Sequence, residues 1–453
     1  MRKIVSSLAR ILSAGRRAAD LKGNAAAVLA AAALFTGVFS PEQASAADPM
    51  ATSYSPTQCL GTAMPYPAPD GPIAIPDSLE AMYINHVGRH GARYLSSMRP
   101  SVGLLQTLAK ADSVGVLTDK GKQLKGLVEY VIDASHGRWG ALDSLGMAEQ
   151  RGIATRMFRA FPRLFDNGRV HAISSYSPRC VMSMYEFCHQ LDRVNNSVEI
   201  TTSAGRTNSP LMRPFDTDRD FVEWFESHPW QEPYDMFFQT TCPAEPARRL
   251  ISDKNYLTHE QAVELSWSAY SVVHGLPAMG LDVDITTYFT PEELNALWAC
   301  ENLGHYLKRS ASTLSLEPAY VASNLLLDLI NTTDEAAQGK RGETVSLRFG
   351  HAETLLPLLS LMRLPGCYYM TNYFDTVGLH WRDFTLTPMA ANLQMVLLRS
   401  KKGVTYLLIL LNERPIALPI GAGSETPEGA LPLIPWSTAK EYLNLCLPIH
   451  MQI

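Results

Sequence analysis

The chain has 453 residues, of which 46% are hydrophobic and 18% charged, with a formal net charge of −5. That is an ordinary globular balance, with length for two or three domains or for one large domain carrying an insertion. An acidic total argues against a general nucleic-acid binder, so any anion site must be a local concentration of arginine against an unfavourable overall field.

Residues 1–46 read as a signal peptide. Arg2, Lys3, Arg10, Arg16, Arg17 and Lys22 form a basic n-region, and Ala25 to Phe39 is an apolar run short for a membrane span, with a retained membrane anchor as the alternative to a cleaved peptide. Ala44-Ser45-Ala46 then supplies small residues for a peptidase. Cleavage after Ala46 removes six of the 39 basic and two of the 44 acidic residues and leaves a formal charge of −9. The expected product is periplasmic or secreted, with no membrane segment after cleavage. All seven cysteines, from Cys59 to Cys446, lie in this mature part. An odd number leaves at least one thiol without an intrachain partner, and spacing does not give connectivity.

Residues 47–78 are rich in proline and small residues and read as an extended lead-in. Ala81 to Val87 reads as a buried strand that runs into Arg89-His90-Gly91-Ala92-Arg93. Helical spacing follows over Val102–Ala111 and from about Ala148 to Phe165, then a short strand over Val170–Ser174. Ser177-Pro178-Arg179 opens a further helix, with serine as a cap and proline at the first helical position. From 195 to 339 strands are scarce and helical stretches dominate: His259–Ser271, Pro291–Lys308 and Ala319–Leu329. Alternation returns at Thr344–Phe349, followed by His351-Ala352-Glu353 with Pro357 placed in the first turn of a helix. Met395–Arg399 and Tyr406–Leu411 close the pattern as strands, the second a continuous apolar run suited to a covered sheet. The expected organisation is an α/β core from 47–194 and 340–453, with a mainly helical insertion or cap over 195–339.

The stretch 89–93 carries the chemistry. A neutral imidazole nitrogen is nucleophilic and can hold a phosphoryl group covalently. Arginine presents planar donors that grip two phosphoryl oxygens at once. Gly91 lets the backbone come close to the phosphate. Arg179, in the first turn of a helix after a strand, is a third clamp. His351 can donate to a phosphoryl oxygen. Glu353 can protonate a leaving alkoxide if its pKa is raised by burial and by a neighbouring anionic phosphate.

Together these stretches resemble the histidine acid phosphatases, the branch of the histidine phosphatase superfamily with an early Arg-His-Gly-x-Arg motif and a late His-containing motif. That late motif is usually His-Asp. Here His351-Ala352-Glu353 looks like the multiple inositol polyphosphate phosphatases. The similarity extends through Leu145-Gly146 to Leu164, Ser177 to Phe187, Pro388 to Leu393 and Leu410 to Arg414.

The resemblance implies a histidine-phosphatase-like central sheet with flanking helices and a helical cap. It implies a phosphohistidine on His90, phosphate binding by Arg89, Arg93, Arg179 and His351, and proton donation by Glu353. It implies no metal and no cofactor, and phytate with lower inositol phosphates as small-molecule substrates cleaved stepwise. Leu95 stands where family members often have proline. Arg99 is the nearest basic residue where they tend to have lysine, so Arg99 and Arg213 are the expected outer contacts to substrate, with Arg219 a further candidate.

Three rival readings have their own marks. A metal hydrolase would draw on His86, His90, His351 and Glu353, but three arginines repel a cation. A non-catalytic polyanion-binding protein would use arginines and need neither nucleophile nor acid. A phosphatase of the same mechanism for sugar phosphates or other monoesters would need no cations beyond those at the scissile phosphate. Asp216-x-Asp218-x-Asp220 hints at calcium, but Phe221 sits where such a loop wants glycine.

Overall fold

The structure is a computed structural model that describes residues 53–420 and 431–452. The expected signal peptide, residues 1–46, lies outside them. β1 (Leu79–Arg89) is buried without a break from Tyr83 to Arg89. A strand of that kind needs cover on both faces and neighbours on both edges. It pairs in parallel with β4 (Val345–Gly350) and antiparallel with β5 (Asn392–Ser400). β2 (Arg169–Ser174) and β3 (Glu199–Ala204) extend the parallel side. β6 (Thr405–Leu411) and β7 (Arg414–Ile416) extend the antiparallel side, and β8 (Ile434–Pro435) also pairs with β6. The order is β3-β2-β4-β1-β5-β6-β7.

The helices of ten or more residues are numbered in chain order. They are α1 (Arg99–Ser113), α2 (Asp119–Ala134), α3 (Ser144–Ala160), α4 (Pro178–Val194) and α5 (Gln231–Thr241). Then come α6 (His259–Val273), α7 (Pro291–Arg309), α8 (Ser323–Ala337), α9 (Ala352–Leu361) and α10 (Trp436–Cys446). Alternation along β1 decides which helices cover which face. Ile84 packs with Ile153 and Met157 of α3 and Met184 and Phe187 of α4. Tyr83 and Val87 pack with Leu325 and Leu329 of α8, Leu355 and Leu359 of α9 and Leu443 of α10. A separate cluster joins Leu104 and Leu108 of α1, Leu124 and Val128 of α2, Val272 of α6 and Leu297 of α7.

This packing corrects the division drawn at 195 and 339. β3 lies beyond 195 yet is a strand of the sheet, because parallel pairing with β2 satisfies backbone groups that its half-exposed sequence Glu-Ile-Thr-Thr-Ser-Ala does not advertise. α8 lies before 339 yet covers β1. α1 and α2 precede 195 yet share their core with α6 and α7. The stretch expected as one helix over Ala319–Leu329 is a short turn, Glu317–Tyr320, followed by α8. Pro357 sits inside α9, not in its first turn. The lead-in forms a 3-10 turn at Gln58–Ala63. The seven cysteines are all unpaired and buried.

Candidate active site

Parallel pairing puts the carboxyl ends of β1 and β4 side by side, with Arg89 opposite Gly350. The next residue of each strand end is a histidine. His90 N donates to the Gly350 carbonyl at 3.1 Å, and the two imidazole centroids are 5.7 Å apart. β2 ends at the same edge, so α4, which follows it, delivers Arg179 there. Ligands gather at the carboxyl ends of parallel strands for this reason.

The loop 90–93 is held by α3 and α4. Gln150 Nε2 donates to the Arg89 carbonyl at 2.9 Å, and Ala92 N donates to Glu149 Oε2 at 2.7 Å. Gly91 N donates to Ser183 Oγ at 3.1 Å. Gly91 and Gly146 meet backbone to backbone: a Cβ on Gly146 would lie 2.1 Å from the Ala92 carbonyl oxygen, and one on Gly91 2.4 Å from the Gly146 oxygen. Two glycines are needed at that crossing.

His90 Nδ1 lies 2.9 Å from the Gly91 carbonyl. A carbonyl only accepts, so Nδ1 carries the proton and Nε2 keeps its lone pair. Burial, then Arg89, Arg93 and Arg179, push the imidazole pKa well below its ordinary value, so the ring is neutral. Burial lowers Arg89 to about 10 and Arg93 to about 9, and both remain cationic at neutral pH. Arg89 Nη1 donates to the carbonyls of Thr62 and Thr387, which fixes its plane.

His351 precedes the first residue of α9. Its Nε2 lies 2.9 Å from Arg213 Nη1 and 3.0 Å from Ser175 Oγ, and its Nδ1 lies 3.3 Å from Arg179 Nη2. A neutral ring offers one lone pair. The shorter contact assigns it to Nε2, and the proton then sits on Nδ1, facing Arg179. Burial, with Arg179 and Arg213 behind it, outweighs Glu353 and lowers His351 to about 3. For Glu353, burial is only one of the influences on the carboxyl. Burial acts to raise its pKa, but Arg309, His351, its own N–H and Arg89 together hold it at about 2. At that value it is a carboxylate at neutral pH.

Arg89, His90, Arg93, Arg179 and Glu353 line a cavity of about 400 Å³; His351 is buried beside Arg179 and is not part of its wall. One part of the wall was not legible in sequence. It is one face of α7, carrying Glu301, His305, Lys308 and Arg309. That spacing is helical, but basic residues in a last turn read equally as a solvated face that suits the helix dipole. His305 Nδ1 bonds Asp383 Oδ2 at 2.7 Å. Burial opposes its charge, but Asp383, with Glu301 and Glu353, raises its pKa on balance.

Other expected residues fall elsewhere. Arg99 starts α1 as an exposed residue and is not part of the cavity wall; only its neighbour Pro100 reaches it. Arg213 supports His351 from behind and pairs with Asp216 at 2.7 Å. Arg219 pairs with Glu223 at 2.7 Å on the surface. Asp218 caps the helix Arg219–Glu226 by accepting from Phe221 N at 2.9 Å. His86 points away from the cavity wall, its ring 5.2 Å from Phe187 and 5.3 Å from Phe349. A second hollow of about 380 Å³ lies between α3 and α4, where Arg156 is already paired with Glu413 and Arg151 with Glu186.

A sheet that brings two neutral imidazoles and three arginines to one edge, under a helix of further cations, defines an α/β enzyme that works on phosphate. Residues 82–412 match the histidine phosphatase superfamily (branch 2). The chain belongs to that superfamily and is a phosphoric monoester hydrolase. It is 26% identical over 428 residues to multiple inositol polyphosphate phosphatase 1 of Homo sapiens, covering 84% of this chain and 85% of that one. The Gallus gallus protein of the same name is 26% identical over 364 residues, covering 76% and 78%. The fold is shared with the Bifidobacterium longum multiple inositol polyphosphate phosphatase solved with inositol hexasulfate, at TM-score 0.69 and 16% identity over 87% of this chain and all of that one. It is shared with the phytase from D. castellii at TM-score 0.65 and 15% identity, covering 89% of each.

Proposed function

We propose that this chain is an exported phosphatase that hydrolyses phytate and lower inositol polyphosphates stepwise through a phosphohistidine on His90. One observation carries the reading: the cavity holds more cations than one phosphate needs. Arg89, Arg93 and Arg179 line it with His90, and His305, Lys308 and Arg309 line it from α7. A simple monoester has nothing for the cations of α7 to bind; a polyphosphorylated ring has several anions for them.

In the first step His90 Nε2 attacks phosphorus. The N–P bond forms, the P–O ester bond breaks, and a proton on Glu353 passes to the leaving oxygen. Arg89, Arg93, Arg179 and Nδ1–H of His351 hold the phosphoryl oxygens. The 3.3 Å approach of Arg179 and Nδ1 supports a shared acceptor there, since two donors otherwise face each other. In the second step Glu353, now a carboxylate, takes a proton from water, whose oxygen bonds phosphorus as the N–P bond breaks. Inorganic phosphate leaves and Glu353 is again protonated.

The test is phosphate release from phytate by His90→Ala. Loss of turnover is expected, and persistent turnover overturns the covalent step. Comparison with a sugar monophosphate tests the substrate: equal kcat/KM on both favours a general monoesterase. Export rests on residues 1–46, and N-terminal sequencing of the native protein tests it, with Ala47 expected as the first residue.

A further inference from the structure

Arg309 ends α7, four residues after His305 and eight after Glu301 on the face that lines the cavity. Its guanidinium carbon lies 5.6 Å from the ring centroid of Phe215, 5.7 Å from Phe221 and 5.4 Å from Phe225, and Glu353 and Asp216 are the carboxylates that act on its charge. Among the described residues Arg309 forms no ion pair, whereas Arg156, Arg213 and Arg348 are each paired with a carboxylate. Aromatic faces hold a guanidinium in place by cation–π attraction without using its hydrogen-bond donors. Its charge is fixed in position and left free for the cavity.

Glu353 faces that charge. It also faces Arg89 and Arg93 from the end of β1, Arg213 from the segment before Asp216, His305 from α7, the Cys180 thiol from α4, and its neighbour His351. Their charges are disposed of in different ways. The scissile phosphate of any substrate meets Arg89 and Arg93. Arg213 has Asp216 and His305 has Asp383. Burial keeps the Cys180 thiol protonated, and His351 is neutral. Arg309 is the cation near Glu353 whose neutralisation requires a second anion on the substrate.

An ionised Glu353 has no proton to give an alkoxide, so something must relieve the cations around it before the ester can break. Resting on the phosphohistidine reading above, we propose that Arg309 is a positioning residue that couples substrate charge to proton donation. A phosphate beside the scissile one takes the Arg309 guanidinium, Glu353 then picks up a proton from solvent, and that proton passes to the leaving oxygen as the P–O bond breaks. The substrate class is phosphate monoesters of alcohols that carry a second, neighbouring phosphate. Selection then acts on kcat as well as on binding.

The experiment compares phytate with β-glycerophosphate, which has an alkoxide leaving group and a single phosphate, by phosphate release from pH 3 to 8. The wild type should lose β-glycerophosphate turnover at a pH about one unit lower than phytate turnover, since a tenfold change in ionisation is one unit. In Arg309→Gln the two basic limbs should coincide and the β-glycerophosphate kcat should rise roughly tenfold while the phytate kcat changes little, so the ratio of phytate to β-glycerophosphate kcat drops roughly tenfold. Arg309→Met, whose apolar chain suits the three phenylalanines, should do the same, and it decides the matter if the glutamine variant fails to fold. Equal losses on both substrates, or a rise in the phytate KM with both pH limbs unmoved, overturn the coupling while leaving the phosphatase reading intact. A wild type that releases phosphate from neither substrate overturns that reading itself.

Discussion

Substituting Gly146 by alanine tests whether backbone contact sets the position of the nucleophile. The added Cβ would lie 2.1 Å from the Ala92 carbonyl oxygen and 2.6 Å from Ala92 N, where ordinary carbon contacts are near 3.4 Å. The obstructing atoms are backbone, so no side chain can swing aside. α3 and the loop 90–93 must separate by roughly 1 Å, and a displacement of that size at a reacting group costs about 100-fold in rate. The same movement stretches the 2.7 Å bond from Ala92 N to Glu149 and the 2.9 Å bond from Gln150 to Arg89. Overpacking of this kind costs about 1–3 kcal/mol. The assay is kcat for phosphate release together with the thermal midpoint. Expected is a fall of about two orders of magnitude in kcat with a loss of several degrees in the midpoint and an unchanged circular dichroism spectrum. Wild-type kcat in a folded Gly146→Ala protein refutes the argument that this crossing positions His90.

Further outcomes follow from the same geometry. Glu353→Ala should slow phytate cleavage by about 100-fold or more and an aryl phosphate, whose leaving group needs little protonation, much less; equal losses contradict the donor role. His90→Ala should abolish turnover while leaving the thermal midpoint within a degree or two, because the ring bonds only its neighbour's carbonyl among its side-chain contacts. Asp383 is buried and accepts from Trp298 Nε1 at 2.9 Å as well as from His305. Asp383→Asn should therefore destabilise by about 2–4 kcal/mol at pH 5. The raised pKa of His305 adds stability that is fully present below the unfolded value and lost as pH rises through the folded one. Melting curves should show the gap between wild type and variant widest at pH 5 and narrower at pH 8, and a gap constant across that range refutes the charged pair.

The inner site was readable because its residues sit where chain order and local pattern coincide. An apolar strand followed at once by Arg-His-Gly has one place to end in a covered sheet. A helix opening on Ser177-Pro178 fixes where Arg179 lies along its axis. β3 was not readable because half-exposed polar residues at a sheet edge carry no apolar alternation; pairing with β2 makes that strand. Arg99 was misplaced for a related reason. A nearby basic residue in sequence has no direction until the helix it begins is packed, and α1 turns it to solvent.

By itself the sequence determined that Arg89-His90-Gly91-Ala92-Arg93 follows one strand, that His351 and Glu353 follow another, and which helices carry the remaining charges. It determined these because strand and helix patterns are local. Only the tertiary structure decided that β1 and β4 are parallel neighbours, that Arg309 in the last turn of α7 acts on Glu353, and that three phenylalanine rings surround the Arg309 guanidinium. Ionisation is a property of those distances and of burial. Burial alone predicts a protonated Glu353, and the cations that the fold assembles around it reverse that outcome.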